Sequence, residues 1–437
     1  MNWTVCIDFG TAFSKAAAAP AGAWTDFDAA KIRPLMLNAL GGGNPFLLDS
    51  AVFIAGDEIL FGAAAISAAA EAGGKRQALR SFKTILSAPD LERALSARAP
   101  ASIDPERALQ QRDLVVLYLA FLMGAVERAV ASDPVVGAVN AWRYASPAWR
   151  DDRIAAHRVI ERLFGEARVV GNALKIAENR VAAASARAAL AGARDDVAAA
   201  TWRMDMVYEA TAAAACSAVS LADRATHVIV VDVGAGTTDI AALAGSAELH
   251  EARVTLAQAG DFMDRVLLNQ ALAASPNLKS VAQQQELWAA MGPNVRDLKE
   301  SLFATGRGVF RFGARVINLS LKDFERDKGF KQFQNDLTRA YLGALKALRD
   351  RARADKQKHI VAVAVGGGAP APFIQALIKS SAPGGGVKVV ARPSIPDWAN
   401  AAAFGGNLAP VFPQLAVAIG GALAPEAMLA AYDRASA

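Results

Sequence analysis

Two stretches of the chain share one pattern, and that pattern limits the folds open to it. "TVCIDFGTAFSKAAAA" runs from Thr4 to Ala19, and "HVIVVDVGAGTTDIAALA" from His227 to Ala244. Each carries an apolar run to an Asp, breaks into Gly and Thr, and resumes as a second apolar run. A buried strand gains nothing from a carboxylate at its edge, so Asp8 and Asp232 need a reason outside the core. Gly10, Gly234 and Gly236 let the backbone turn tightly and present N–H groups to an anion. Thr11, Ser14, Thr237 and Thr238 add hydroxyl donors. A carboxylate cannot itself bind phosphate; beside a phosphate cradle it points to Mg²⁺, which takes a few carboxylates, waters and phosphate oxygens. Two such turns converging would hold a polyphosphate with its metal. For either stretch alone, an ordinary hairpin with a polar turn is the competing reading.

A third glycine turn follows the strand "HIVAVAV" in "VAVAVGGGAPAPFIQALI". Gly366, Gly367 and Gly368 let a flat ring lie against backbone, and the helix expected after Pro370 and Pro372 adds positive dipole. Neither a Walker A sequence nor a G-x-G-x-x-G fingerprint is present, so P-loop and Rossmann readings fail on pattern.

Bulk properties narrow the setting. At 437 residues the chain exceeds the usual size of one domain. Its hydrophobic share of 53% and charged share of 20% supply full-sized cores and argue against disorder. Much of the apolar share is alanine, which predicts closely packed helices. The net charge of +5 is not gathered into one dense run, so no nucleic-acid partner is expected. Cys6 and Cys216 fit no metal pattern and read as reduced thiols of a cytoplasmic protein. The stretch from Trp398 to Pro425 is charge-poor but broken by prolines and glycines; it reads as a buried loop and helix, with no membrane span.

Along the chain, Met1 to about Ala19 reads as two strands around a turn, and residues 32–62 as further short strands. A helical pattern runs from Ala63 to about Val130, including "DLVVLYLAFLMGAVERAV". "VVGAVNAWRYASP" is a strand, and "AWRDDRIAAHRVIERLFG" a helix stopped by Gly165. After the second turn come helices at about 261–305, a strand pair "GVFRFGARVINLS", and a helix from Asp336 to about Lys356. The echo between the halves suggests two related α/β units.

Taken together, these segments resemble the nucleotide-binding domain of the actin, sugar kinase and heat-shock chaperone superfamily, most closely the DnaK-type chaperones. "IDFGTAFSK" corresponds to the first phosphate motif, "VVDVGAGTTDI" to the second and "VAVAVGGGAPAPFI" to the adenosine motif. "RSFKTIL" resembles the segment with the ATPase lysine, which falls on Lys83, and "YEATAAAAC" places the functional glutamate on Glu209. "PAWRDDRIAA" and "FPQLAVAIGGALA" look like the two connecting helices. The resemblance implies an α/β chain with a two-lobed actin-like ATPase fold, duplicated ribonuclease-H-like lobes around a nucleotide cleft. Lobe I would span 1–225 with a helical insertion at about 168–206, lobe II 226–407, and residues 408–437 a C-terminal helix returning to lobe I. It further implies Mg²⁺ with ATP or ADP. Asp8 and Asp232 would orient waters on the metal, and Thr11 and Thr237 would contact phosphate oxygens. Lys83 would stand at the γ-phosphate and Glu209 by the attacking water, with Gly366 to Gly368 under the adenosine. Lys299, in "VRDLKESLF", aligns with the adenosine-contacting helix.

The sequence also departs from the family. Ala235 replaces the middle glycine of the second turn, which would cost about 1–2 kcal/mol if that position needs a positive φ. Ala12 replaces a hydroxyl residue, and Ala210 a proline. After the second connecting helix comes only "PEAMLAAYDRASA", so a chaperone's peptide-binding domain is not expected. The expectation is therefore a chaperone-like Mg·ATP-binding protein, a slow ATPase whose lobe closure is coupled to a protein partner or co-chaperone. A degenerate nucleotide binder, a small-molecule kinase and a filament-forming actin-like protein are the alternatives. The kinase reading lacks a locatable catalytic Asp and acceptor pocket.

Overall fold

The computed structural model describes residues 2–38, 43–72, 76–80, 82–86, 88, 90–147, 154–176, 179–220, 226–278, 280–380 and 386–429. Strands β1 (Trp3–Asp8) and β2 (Phe13–Pro20) form an antiparallel hairpin, and every residue of β1 is buried. Burial on both faces explains why these strands read as continuous apolar runs and not as alternation. Short strands β3 (Arg33–Pro34) and β4 (Leu48–Asp49) add to β2. Strands β5 (Val52–Ala55) and β6 (Glu58–Phe61) form a separate hairpin. Helices α1 (Gly62–Glu71), α2 (Phe82–Leu86), α3 (Leu91–Ser96) and α4 (Gln111–Ser132) follow. Strand β7 (Val139–Ser146) then pairs parallel with β1. Helix α5 (Ile154–Leu174), β8 (Arg180–Ala182), α6 (Ala183–Ala193), α7 (Val197–Thr201), β9 (Asp205–Tyr208) and α8 (Glu209–Ser220) complete the first half. Its main sheet runs β3-β2-β1-β7-β9.

The second half repeats that order. Hairpin β10 (His227–Val233) and β11 (Thr238–Ala244) carries β12 (Ala247–Glu248) and β13 (Val254–Leu256). Helices α9 (Gly260–Ala273), α10 (Val281–Met291) and α11 (Val295–Thr305) lead to the hairpin β14 (Arg307–Phe312) and β15 (Arg315–Ser320). Helices α12 (Leu321–Arg326) and α13 (Lys328–Ala354) precede β16 (His359–Val365), α14 (Pro372–Lys379), β17 (Lys388–Ala391) and α15 (Phe412–Leu423). The sheet runs β12-β11-β10-β16-β17, with β16 parallel to β10 and β17 parallel to β16. This is a mixed α/β architecture in which each half builds one sheet on the same plan.

Helices α8 and α15 make the core that the two sheets share. Cys6 and Ala17 of the first sheet, and Val228, Val230, Val361 and Val363 of the second, pack with Ala212 to Ala215 and with Leu415 to Ile419. A Cβ on Gly420 would overlap the Ala212 carbonyl, and one on Gly421 the Cys6 sulfur. Small residues on both helices therefore permit their close approach, as the alanine content implied. Cys6 and Cys216 are both buried thiols.

Three sequence readings change. Helix α5 runs through Gly165, which does not stop it; a Cβ there would overlap the Ala199 carbonyl, so glycine serves the α5–α7 contact. Helix α13 starts at Lys328, before Asp336, because the Asp327 side chain accepts from the Phe330 amide and caps it. The stretch expected as a helical insertion also contains β8, which pairs with β6. The start of the first connecting segment, residues 148–153, lies outside the described residues, as does the tail from 430. Helix α4 is long and apolar enough to cross a bilayer, but 14 of its residues are buried, among them all of Leu114 to Met123. The Trp398–Pro425 stretch is loop and buried helix, as expected.

Candidate functional site

Both hairpins deliver a carboxylate to the same place. Asp8 ends β1 and stands opposite Lys15, while Asp232 stands opposite Asp239. The turns beyond them meet: a Cβ built on Gly236 would lie 3.2 Å from the Thr11 hydroxyl. The second turn is closed by the Gly234 amide donating to the Thr237 carbonyl at 3.0 Å. Its outward carbonyls accept from the start of α9, Gly260 N–H to Gly234 at 3.1 Å and Asp261 N–H to Ala235 at 2.8 Å. Among the described residues, the amides of Thr11, Ala12, Ala235 and Gly236 find no acceptor. Open amides on two facing turns are an anion-binding arrangement.

Helix α2 places Lys83 beside this junction. Its ammonium pairs with Glu209, the first residue of α8, and lies 3.7 Å from Asp8. The Asp8 carboxylate also meets the Lys15 ammonium at 2.5 Å. Burial works against the Lys83 charge, but Glu209, Asp8 and Asp232 outweigh it and raise its pKa. Burial pushes the Glu209 carboxyl up to about 7, with Lys83 opposing and Asp8 and Asp239 assisting. Burial, then Glu209, Asp239 and Asp8, raise the Asp232 carboxyl well above the usual range. Asp239, raised chiefly by burial, accepts from Thr255 at 2.5 Å and is bonded by Thr237.

The third turn closes against the second. Gly366 adopts φ +82°, and a Cβ there would overlap the Asp232 carboxylate and the Val233 carbonyl. The Gly368 amide donates to the Val233 carbonyl at 2.9 Å, and the Gly366 amide to Pro413 at 2.7 Å. Gly367 faces Gln414 at the start of α15. Asp8, Lys83, Glu209, Asp232 and Gly366 thus come together with both turns.

The donor set suits Mg²⁺. With all groups ionised, Asp8, Glu209, Asp232 and Asp239 carry twice the charge of Lys15 and Lys83. A divalent cation cancels that excess, and oxygen donors suit a hard ion. Among the described residues no three His, Cys, Asp or Glu side chains could hold a metal by themselves. The arrangement therefore calls for waters or phosphate oxygens to complete the shell.

Comparison with known proteins agrees in part. No family model matches the chain. It is 46% identical over 57 residues to the "Actin-like protein MamK" of Magnetospirillum gryphiswaldense, and equally to that of Paramagnetospirillum magneticum. The match covers 13% of this chain and 16% of each relative's length. The chain is similar to actin-like proteins. This supports the actin-like ATPase superfamily and does not single out its DnaK-type branch.

Other site residues fall elsewhere than the motifs suggested. Ser14 is fully buried and bonded to Ser50 at 3.0 Å and Tyr118 at 2.9 Å, so it does not face a ligand. Ser50 donates to the Gly10 carbonyl at 2.7 Å, so this hydroxyl network supports the first turn from behind. Thr238 donates to the Gln258 carbonyl at 2.7 Å. Lys299 pairs with Asp264 at 2.5 Å and donates to the Gly260 carbonyl at 3.2 Å, bracing the second turn. Ala235 has no positive φ, so the suspected strain is absent. Arg296 stacks over Phe13 of the opposite hairpin at 5.0 Å, linking α11 to the first turn. Motif reading missed Lys15, Asp239 and Tyr118. Only the strand register shows that the first two face the key carboxylates.

Proposed function

We propose that this is an actin-like Mg·ATP-binding protein, two ribonuclease-H-like lobes closing on the nucleotide, that hydrolyses ATP slowly. The division at about residues 225 and 407, with α15 returning to lobe I, follows the shared sheet order and the α8–α15 core. The observation that carries this reading is the convergence of two amide-lined turns on Asp8, Asp232, Lys83 and Glu209. Thr11, Thr237 and the open amides of both turns bind the phosphates. Asp8 and Asp232 hold Mg²⁺, which supplies charge neutralisation at the phosphate oxygens when bound. Lys83 places a point charge at the γ-phosphate. Glu209, with its proton affinity near neutrality, orients the attacking water and accepts its proton. Gly366 to Gly368 take the adenosine. Positioning and charge account for most phosphoryl-transfer catalysis, so this set suffices for slow turnover.

Lobe closure would serve a protein partner, in the manner of a chaperone ATPase module in the cytoplasm. The similarity to actin-like proteins favours a second reading, in which nucleotide governs assembly of copies of this chain. Single-turnover hydrolysis of ATP by the wild type, Lys83→Ala and Asp232→Ala tests the chemistry. Hydrolysis by the wild type and its loss in both variants is expected. Binding without turnover in all three would leave a nucleotide binder that is not an ATPase. ATP-dependent pelleting of the wild type would favour the assembly reading over the chaperone-like one.

A further inference from the structure

Glu209 belongs to the first half of the chain, yet a side chain of the second half holds the residue beside it. Tyr208 ends β9 and Glu209 opens α8, so one strand-to-helix turn sets both side chains. The backbone of that turn is held from two directions: Tyr208 stands opposite Ser146 of β7, and Val207 bridges to Leu429 beyond α15. The ring is held from across the junction, where the Arg253 guanidinium lies over it, 3.9 Å from its centre. Arg253 is itself fixed by the second half. Its Nε donates to Glu248 Oε1 at 2.8 Å and its Nη2 to Oε2 at 2.6 Å, and the two side chains are only 12% and 5% exposed. A fork gripped along one edge by a carboxylate leaves its flat face to stack on an aromatic ring. Burying an Arg–Glu pair is a weak source of stability, so this pair calls for another role. Arg253 directly precedes β13 in extended conformation, and Thr255, two residues on, donates to Asp239 at 2.5 Å. Side chains two apart on extended backbone share a face. One short stretch therefore supports both the acid that faces Asp232 and the neighbour of Glu209.

We propose that Arg253 is a positioning residue for hydrolysis: by holding the Tyr208 ring it fixes the direction in which Glu209 leaves β9 and keeps that carboxyl aimed at the attacking water. This rests on the ATPase reading above. Lys83 grips the carboxyl end of Glu209, and the Arg253–Tyr208 stack fixes the backbone end. A misplacement of about 1 Å is enough to slow a positioned step severely. The stack bears on the residue placed at the water and not on the turns that take the phosphates, so its loss lowers the rate and spares the affinity for ATP.

Single-turnover hydrolysis and calorimetric binding of Mg·ATP by the full chain separate rate from affinity. Tyr208→Leu is expected to slow hydrolysis about tenfold while the dissociation constant for ATP stays within about twofold. Tyr208→Phe, which keeps the ring face, should hydrolyse at the wild-type rate. Arg253→Met combined with Glu248→Leu removes both charges without stranding a buried acid, and should match Tyr208→Leu; circular dichroism and melting curves check that each variant is folded. In a Glu209→Gln background, Tyr208→Leu is expected to cost nothing further, because it acts through the carboxyl already removed; a general structural defect would add to the loss. A wild-type rate in folded Tyr208→Leu, a fall in affinity as large as the fall in rate, or a loss that adds in full to that of Glu209→Gln overturns the inference while the ATPase reading stands. No hydrolysis by folded wild-type protein overturns both.

Discussion

Ala235 sits in the second turn with an ordinary backbone conformation, and its carbonyl is held by the Asp261 amide. Ala235→Gly therefore has no strain to release. Chemical denaturation should show no gain, and a stabilisation above about 1 kcal/mol would mean that strain was present after all. Glu209 gives a pH signature. Its carboxyl, pushed up to about 7, keeps a proton in the folded chain where the unfolded chain, near its ordinary value of about 4.3, has released it. The folded state binds more protons in that window, so stability from this group falls as pH rises from about 4.3 to about 7. Glu209→Gln should flatten that part of the stability profile; an unchanged slope would exclude Glu209 as its source. Asp8 and Asp232 were legible because an acid ending an apolar run is conspicuous. Lys15 and Asp239 were not, since their importance comes from which residue each one faces across a hairpin.

Helix α5 shows where element-level reading fails. Gly165 looked like a terminator, yet the helix continues to Leu174 because packing against Ala199 overrides local propensity. A mid-helix Gly→Ala change ordinarily stabilises by about 1 kcal/mol. Gly165→Ala is instead expected to lower the melting temperature, since its Cβ overlaps backbone. A rise would show that α5 and α7 can move apart freely. The long apolar strands β1, β10 and β16 were clear from sequence because burial on both faces leaves an uninterrupted signal. Strand β8, three residues long, was hidden inside a helix-favouring stretch; its pairing with β6 is a tertiary contact that no local pattern records.

At the scale of the molecule, the echo between two Asp–Gly–Thr turns anticipated two sheets of one order, and the alanines anticipated the α8–α15 contact between them. Contacts that bridge the junction were beyond reach, Arg296 over Phe13 above all. That contact ties α11 to the first turn, so Arg296→Ala should speed release of bound nucleotide several-fold in stopped flow, consistent with about 0.5–1 kcal/mol for such a pair. An unchanged release rate would mean that opening does not break it. The central claim is that one nucleotide is clasped by both turns at once. Amide hydrogen exchange of the full chain, with and without Mg·ATP, reads this directly at the open amides. Protection is expected together at residues 9–15, 233–239 and 366–368. Protection confined to one hairpin, or to none of the three segments under conditions where ATP is bound, would contradict it.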